Sequence, residues 1–283
     1  MNGLKVNLHI TETCNYRCRH CFAHFDKRTD LPLKSWLAII DNFKSSKIVS
    51  AINFAGGEPV FYRGFNELLR YAKESSFEVS LISNGSLLLD EKFFPAENFI
   101  YLSTLGISVD SLNENILLKL GRCDAKHNVL SENKLCELIN TAKRINPSIK
   151  IKFNTVISQL NLHEHLTQIE QKIHIDRWKF LKVKAFDDNN FSNLDILVSD
   201  DEFSYFIERN KRSEGSAILE KSTARSYIVI DNQGNLLDNL NEKYEIVGNL
   251  LHESFAEVFN RYQFDRELYE SRYIQTTSED ENF

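Results

Sequence analysis

Short apolar runs recur along this chain, with helical patterns between several of them. The runs fall at residues 4–10, 50–54, 78–83, 105–109, 149–157 and 177–185. Helical patterns cover 33–43, opened by Pro32 where proline suits a first turn, then 65–74 and 128–145. In the last of these Leu130, Leu135, Leu138, Ile139 and Ala142 share a face, and Pro147 stops it. Strand and helix alternating on this spacing predict right-handed βαβ units around a parallel sheet. Six strands with no obvious seventh or eighth predict an α/β fold, an incomplete (β/α)6 barrel. Barrel folds gather functional residues on the loops at the C-terminal strand ends. The motifs of this chain fall there: three cysteines, then Ala55-Gly56-Gly57-Glu58-Pro59, Ser83-Asn84-Gly85-Ser86 and Ser108-Val109-Asp110-Ser111.

The last hundred or so residues are less regular. A helix is expected over 200–210, capped by Ser199 or Asp200, and a strand over 225–230 turning at 231–235 into Leu236-Leu237. The acidic tail from Gln275 to Phe283 is expected to lack fixed structure. With no internal repeat and no long linker, the reading is one structural unit: a barrel over 1–190 and a C-terminal extension over 191–283.

The 283 residues are 42% hydrophobic and 26% charged, enough for a sizeable core. No apolar run reaches the roughly 18 residues of a membrane helix, and the strand-like start lacks a signal-peptide core. An odd cysteine count of five, three of them clustered, argues for a reducing cytoplasm over a disulfide scaffold. A net charge of −6 disfavours direct nucleic-acid binding, yet a pocket for a phosphorylated small molecule needs only a few cations.

Cys14, Cys18 and Cys21 follow the first strand in a C-x3-C-x2-C spacing. Three thiolates can hold three irons of a [4Fe–4S] cube, leaving the fourth iron open to a small molecule. A zinc site or incidental cysteines are the plainer readings, but no second C-x2-C or histidine pair follows to complete a zinc set. Gly56 and Gly57 let backbone approach a ligand, and Glu58 can accept from an amine.

Together these motifs resemble the radical S-adenosylmethionine (SAM) superfamily. The resemblance implies that the cysteines hold the cluster, that SAM chelates the open iron through its amino-acid head, and that Gly56, Gly57 and Glu58 bind its amine. His20 stands where the superfamily usually has an aromatic residue against adenine. Ser83, Asn84 and Ser108 suit the ribose and the amino-acid head, and Arg122 the carboxylate.

A narrower resemblance is to the viperin family. It is carried by Val6-Asn7-Leu8-His9-Ile10-Thr11 ahead of the cysteines, Ile52-Asn53-Phe54-Ala55, Gly121-Arg122, Lys152-Phe153-Asn154-Thr155-Val156-Ile157, Arg177-Trp178-Lys179 and Ser226-Tyr227-Ile228-Val229-Ile230-Asp231. That family converts nucleoside triphosphates to 3′-deoxy-3′,4′-didehydro nucleotides, which terminate viral RNA chains. The resemblance implies CTP, UTP or GTP as substrate, and an electron donor such as a reductase, flavodoxin or ferredoxin. It puts Lys152, Arg177 and Lys179 on the phosphates, Asn7, Asn53 and Asn154 around the nucleotide, and Tyr227 over the pocket, where it is a candidate for proton or hydrogen chemistry. Strand period alone puts Lys152 with Asn154, and Arg177 with Lys179, on common faces, but leaves open whether those faces meet the interior or solvent. Two positions depart from the pattern: Ala51 replaces a lysine of vertebrate-type members, and Cys123 a usual glycine. The alternatives are a radical-SAM peptide maturase or a cofactor-forming GTP cyclase, both of which use further clustered cysteines, and a non-catalytic antiviral protein with a structural cluster.

Overall fold

The computed structural model describes residues 3–21, 29–186, 192–212, 216–219, 225–238, 240 and 244–271. The acidic tail from Gln275 lies outside them. In chain order the elements are β1 (Leu4–His9), α1 (Leu33–Ser46), β2 (Val49–Ala55), α2 (Phe65–Glu74), β3 (Glu78–Ser83), β4 (Thr104–Ser108), α3 (Glu114–Lys119), α4 (Glu132–Ile145), β5 (Lys150–Ile157) and β6 (Arg177–Lys182). There follow α5 (Asp200–Arg209), β7 (Ser216–Leu219), β8 (Ile228–Ile230), β9 (Asn235–Asp238), β10 (Glu245–Asn249), α6 (Phe255–Arg261) and α7 (Arg266–Ser271).

The strands form one sheet in the order β10-β9-β8-β1-β2-β3-β4-β5-β6-β7. β1 to β6 are parallel neighbours in sequence order, the six staves of a partial (β/α) barrel. β7 adds in parallel beyond β6, and β8 pairs in parallel with the free side of β1. The sequence therefore understated the sheet: the extension contributes strands to both edges, and β9 and β10 continue it antiparallel.

Strand period two divides each stave. On one face Phe54 packs edge-on to Phe65 of α2 at 5.6 Å, and Phe180 to Phe206 of α5 at 5.6 Å. That face is the apolar core between sheet and helices. Asn53, Lys152, Asn154, Arg177 and Lys179 alternate with these residues and so point to the concave side.

Several boundaries differ from expectation for local reasons. The helix expected from residue 128 starts at Glu132, after Ser131. Asp124 accepts from the backbone N–H of Lys126 and of Asn128 and from the Asn128 side chain, which holds 124–128 in a turn instead. α3 escaped the sequence reading; it is one short helix whose cap is the Asn113 side chain accepting from Asn115 N–H. The strand expected from Arg225 begins only at Ile228, because Arg225 has φ of 50°. β3 to β4 and β5 to β6 are joined by turns and short 3₁₀ segments rather than α-helices, so the outer helical layer is incomplete.

Candidate active site

Beyond β1 the chain runs alongside the end of β2. Ile10 N–H donates to Ala55 O at 3.2 Å, Gly57 N–H to Thr11 O at 2.7 Å and Glu58 N–H to Thr13 O at 2.8 Å. A Cβ on Gly56 would stand 2.4 Å from Thr11 O, and one on Gly57 2.4 Å from Thr13 O. Both glycines are thus what lets the Gly56-Gly57-Glu58 segment lie against the cysteine loop.

Glu58 is 1% exposed. Its Oε1 accepts from Ser83 Oγ at 2.7 Å and its Oε2 from Asn84 N–H at 2.8 Å, so it ties the end of β2 to the end of β3. Burial pushes its pKa up to about 7, against the pull of those donors. A ligand ammonium beside it would favour the charged form.

The thiols are held by polar groups aimed at sulfur. Tyr16 N–H lies 3.4 Å from Cys14 Sγ, Asn84 Nδ2 3.8 Å from the same atom, and Arg122 Nη1 3.7 Å from Cys18 Sγ. Burial raises both thiol pKa values, that of Cys18 to about 12, and Arg122 opposes the rise at Cys18. The three thiols interact electrostatically with one another. Among the described residues no three His, Cys, Asp or Glu side chains converge on a single metal ion. A cube instead spreads its thiolates over three corners, and N–H donors to sulfur are what tune such a cluster. The donor set therefore fits a [4Fe–4S] cube.

Asp110, 1% exposed, is the hub that sequence reasoning passed over within its Ser-Val-Asp-Ser motif. Its Oδ2 lies 3.3 Å from His20 Nε2 and 3.1 Å from Arg122 Nε, and its Oδ1 accepts from Val156 N–H at 2.7 Å. Burial favours its neutral form, but His20, Arg122 and these hydrogen bonds together keep its pKa below the usual carboxylate range. Arg122 also donates to Ser108 O at 2.5 Å and stacks over Tyr16 with 5.6 Å from Cζ to the ring centroid. So Arg122 is committed to Asp110, Ser108 and Cys18, a tighter set of contacts than a cation waiting for a carboxylate. The cysteine loop is further docked by Arg17 N–H to Gly121 O and Arg19 N–H to Leu120 O, at 3.2 and 3.0 Å. Arg19 Nη2 also bonds both carboxylate oxygens of Asp195, at 2.7 and 2.6 Å.

The expected nucleotide residues lie on the concave side. Asn7 and Asn53 are register partners, and Asn53 Nδ2 donates to Asn7 Oδ1 at 2.9 Å while Asn7 Nδ2 donates to Ile228 O at 3.2 Å. Lys152 pairs in register with Arg177, and Asn154 with Lys179. Lys179, only 5% exposed, donates to Tyr227 Oη at 2.5 Å and sits 5.1 Å from that ring's centroid. Lys5 also belongs to this face, two residues before Asn7. The period-two rule could have found it, but a lysine at the start of a strand reads as solvated.

A partial barrel of parallel strands, with a thiol-rich loop at its C-terminal end and cations on its concave wall, has the fold and loop placement of a radical-cluster enzyme. Residues 8–158 match the radical SAM superfamily. The chain is 51% identical to the S-adenosylmethionine-dependent nucleotide dehydratase of Selenomonas ruminantium, over 95% of this chain and 98% of that one. It is 32% identical to the protein of that name from Psychrobacter lutiphocae, over 95% and 94%. Among solved structures, Streptococcus suis SuiB bound to S-adenosylmethionine superposes with a TM-score of 0.68 at 16% identity, over 95% of this chain and 67% of that one, a likeness of fold. The chain belongs to the radical SAM superfamily and, within it, to the viperin-like S-adenosylmethionine-dependent nucleotide dehydratases. As a member of that superfamily it uses a [4Fe–4S] cluster and SAM as cofactors.

Proposed function

We propose that the enzyme removes water from the ribose of a nucleoside triphosphate, CTP, UTP or GTP, to give the 3′-deoxy-3′,4′-didehydro analogue, and that this product serves antiviral defence by ending viral RNA chains. The observation that carries the reading is the cationic concave wall of Lys152, Arg177 and Lys179 below the cysteine loop. Three cations gathered on one wall attract a polyanion, and a triphosphate is an anion of matching charge.

When bound, the cluster and SAM supply one-electron reductive cleavage and with it a carbon radical able to take the hydrogen from C4′ of the ribose. The chain's part is geometric and electrostatic. Cys14, Cys18 and Cys21 hold the cluster, and Asn84 and Arg122 donate N–H groups to the Cys14 and Cys18 sulfurs. Gly56, Gly57 and Glu58, with Ser83, Asn84, Ser108 and His20, seat SAM against it. Lys152, Arg177 and Lys179 clamp the phosphates, while Asn7, Asn53 and Asn154 orient the ribose so that C4′ faces the radical. Tyr227, whose Oη accepts from Lys179, supplies a proton as the 3′-hydroxyl leaves. An electron-donating reductase, flavodoxin or ferredoxin completes the balance with one further electron. Residues 191–283 act as the cover of the pocket, and the enzyme works in the cytoplasm.

Anaerobic reconstitution with each ribonucleoside triphosphate in turn, read by mass spectrometry, tests this. The expected product is lighter than its substrate by one water. SAM cleavage with every triphosphate recovered intact would overturn the reading.

A further inference from the structure

Lys5 carries a charge that the contacts around it do not account for. It opens β1 on the same face as Asn7, and its register partner is Ala51 of β2. Its Nζ reaches Ser80 Oγ only at 3.4 Å, and among the described residues no carboxylate lies within ion-pair distance of it. Burial lowers its pKa; Glu78 pulls the other way, while Arg177 and Lys150 add to the lowering. Arg177 belongs to β6, so its charge acts on Lys5 from a strand that is not its neighbour in the sheet. The backbone beside this ammonium is fixed as well: Lys5 N–H donates to Tyr269 Oη of α7 at 3.0 Å, at a point where pairing with β8 has not begun.

We propose that Lys5 is a phosphate-binding residue of the nucleotide site, acting with Arg177 on the terminal end of the polyphosphate. The proposal rests on the nucleotide reading above and adds to it the residue on β1 that supplies the charge where β2 offers only Ala51. An anion bound beside Lys5 would give its ammonium a charge partner and offset the unfavourable effect of Arg177 on it.

The test is equilibrium binding to the SAM-loaded holoenzyme, by calorimetry, of inorganic triphosphate, the ribonucleoside triphosphates and the matching nucleosides. Lys5→Met should weaken triphosphate binding about tenfold to a hundredfold, the range of one hydrogen-bonded charge. Nucleoside and SAM affinities should stay as in the wild type, with KM rising more than kcat falls. Lys5→Arg should keep most of the affinity. The double variant Lys5→Ala with Ala51→Lys, which returns the ammonium from the neighbouring stave, should recover it, a result that a merely structural role for Lys5 does not give. If the wild type binds triphosphates and Lys5→Met binds them equally well, the assignment of Lys5 is wrong and the nucleotide reading stands. If the wild type binds no triphosphate, both fall together.

Discussion

Lys179 and Tyr227 touch, Nζ to Oη at 2.5 Å, although β1 to β5 lie between the strands they belong to or adjoin. The sheet has curled until β6 and the segment leading into β8 face each other, and side chains meet where no backbone pairing joins them. This contact puts the hydroxyl of the extension at the end of the cationic wall, where the substrate's charge is expected.

Tyr227→Phe keeps the ring over Lys179 and removes only the oxygen. Nucleotide turnover should fall about tenfold or more, the worth of one hydrogen bond to a charged group. SAM cleavage should continue, so 5′-deoxyadenosine should exceed dehydrated nucleotide. Equal yields of the two, as in the wild type, would show that the hydroxyl has no part in turnover.

Asp110→Asn keeps shape and removes charge. It leaves Arg122, 6% exposed, buried without its carboxylate, which typically costs about 3–5 kcal/mol. Urea unfolding of the apoprotein should show the loss, and iron retention should drop because His20 and Arg122 no longer share an anchor. An unchanged midpoint would remove Asp110 from the role of hub.

Gly121 has φ of 69°, and a Cβ there would lie 2.1 Å from Arg17 O. Gly121→Ala therefore pushes the cysteine loop off its dock, at a cost of roughly 1–3 kcal/mol for the strained backbone. Iron bound per chain after reconstitution is the measurement, with substoichiometric iron expected and full loading counting against the docking role.

Two buried groups oppose each other in the pH dependence of apoprotein stability. Glu58 is raised to about 7 by burial, so between its unfolded value of 4.5 and about 7 the folded state holds a proton that the unfolded state has lost. Stability from this group falls as pH rises through that window. His9 is lowered by burial from 6.5 to about 4, so the unfolded state binds the extra proton and stability rises over about pH 4 to 6.5. Each slope approaches roughly 1.4 kcal/mol per pH unit, and where the windows overlap they offset. Glu58→Gln should expose the His9 slope as a steeper gain in thermal midpoint between about pH 4.5 and 6.5. A flat profile in that variant would contradict the assignment.

The staves were legible because their outward residues are apolar and their ends carry polar motifs. Phe54 and Phe180 announce a core, and Gly56-Gly57-Glu58 announces a ligand. Asp110 was hard to see because its partners, His20 and Arg122, come from two other segments and only folding brings them together. Lys5 hid for a different reason: on sequence an inward lysine and a solvated one look the same. α3 is too short to show helical period, although its cap Asn113 was there to be read. The pairing of β8 with β1 joins residues whose sequences contain nothing that names the partner.

That pairing bears on how the molecule is made. Val6 waits for Ile228, so a strand that leaves the ribosome early keeps one row of backbone donors and acceptors uncovered until late in synthesis. The nascent chain carries an open seam beside the future cluster loop, and the barrel acquires its last stave only when the chain returns. Order of birth and order of completion run in opposite directions here: β1 pairs early with β2 on one edge, yet its other edge waits for β8 after all of β2 to β7 have been made.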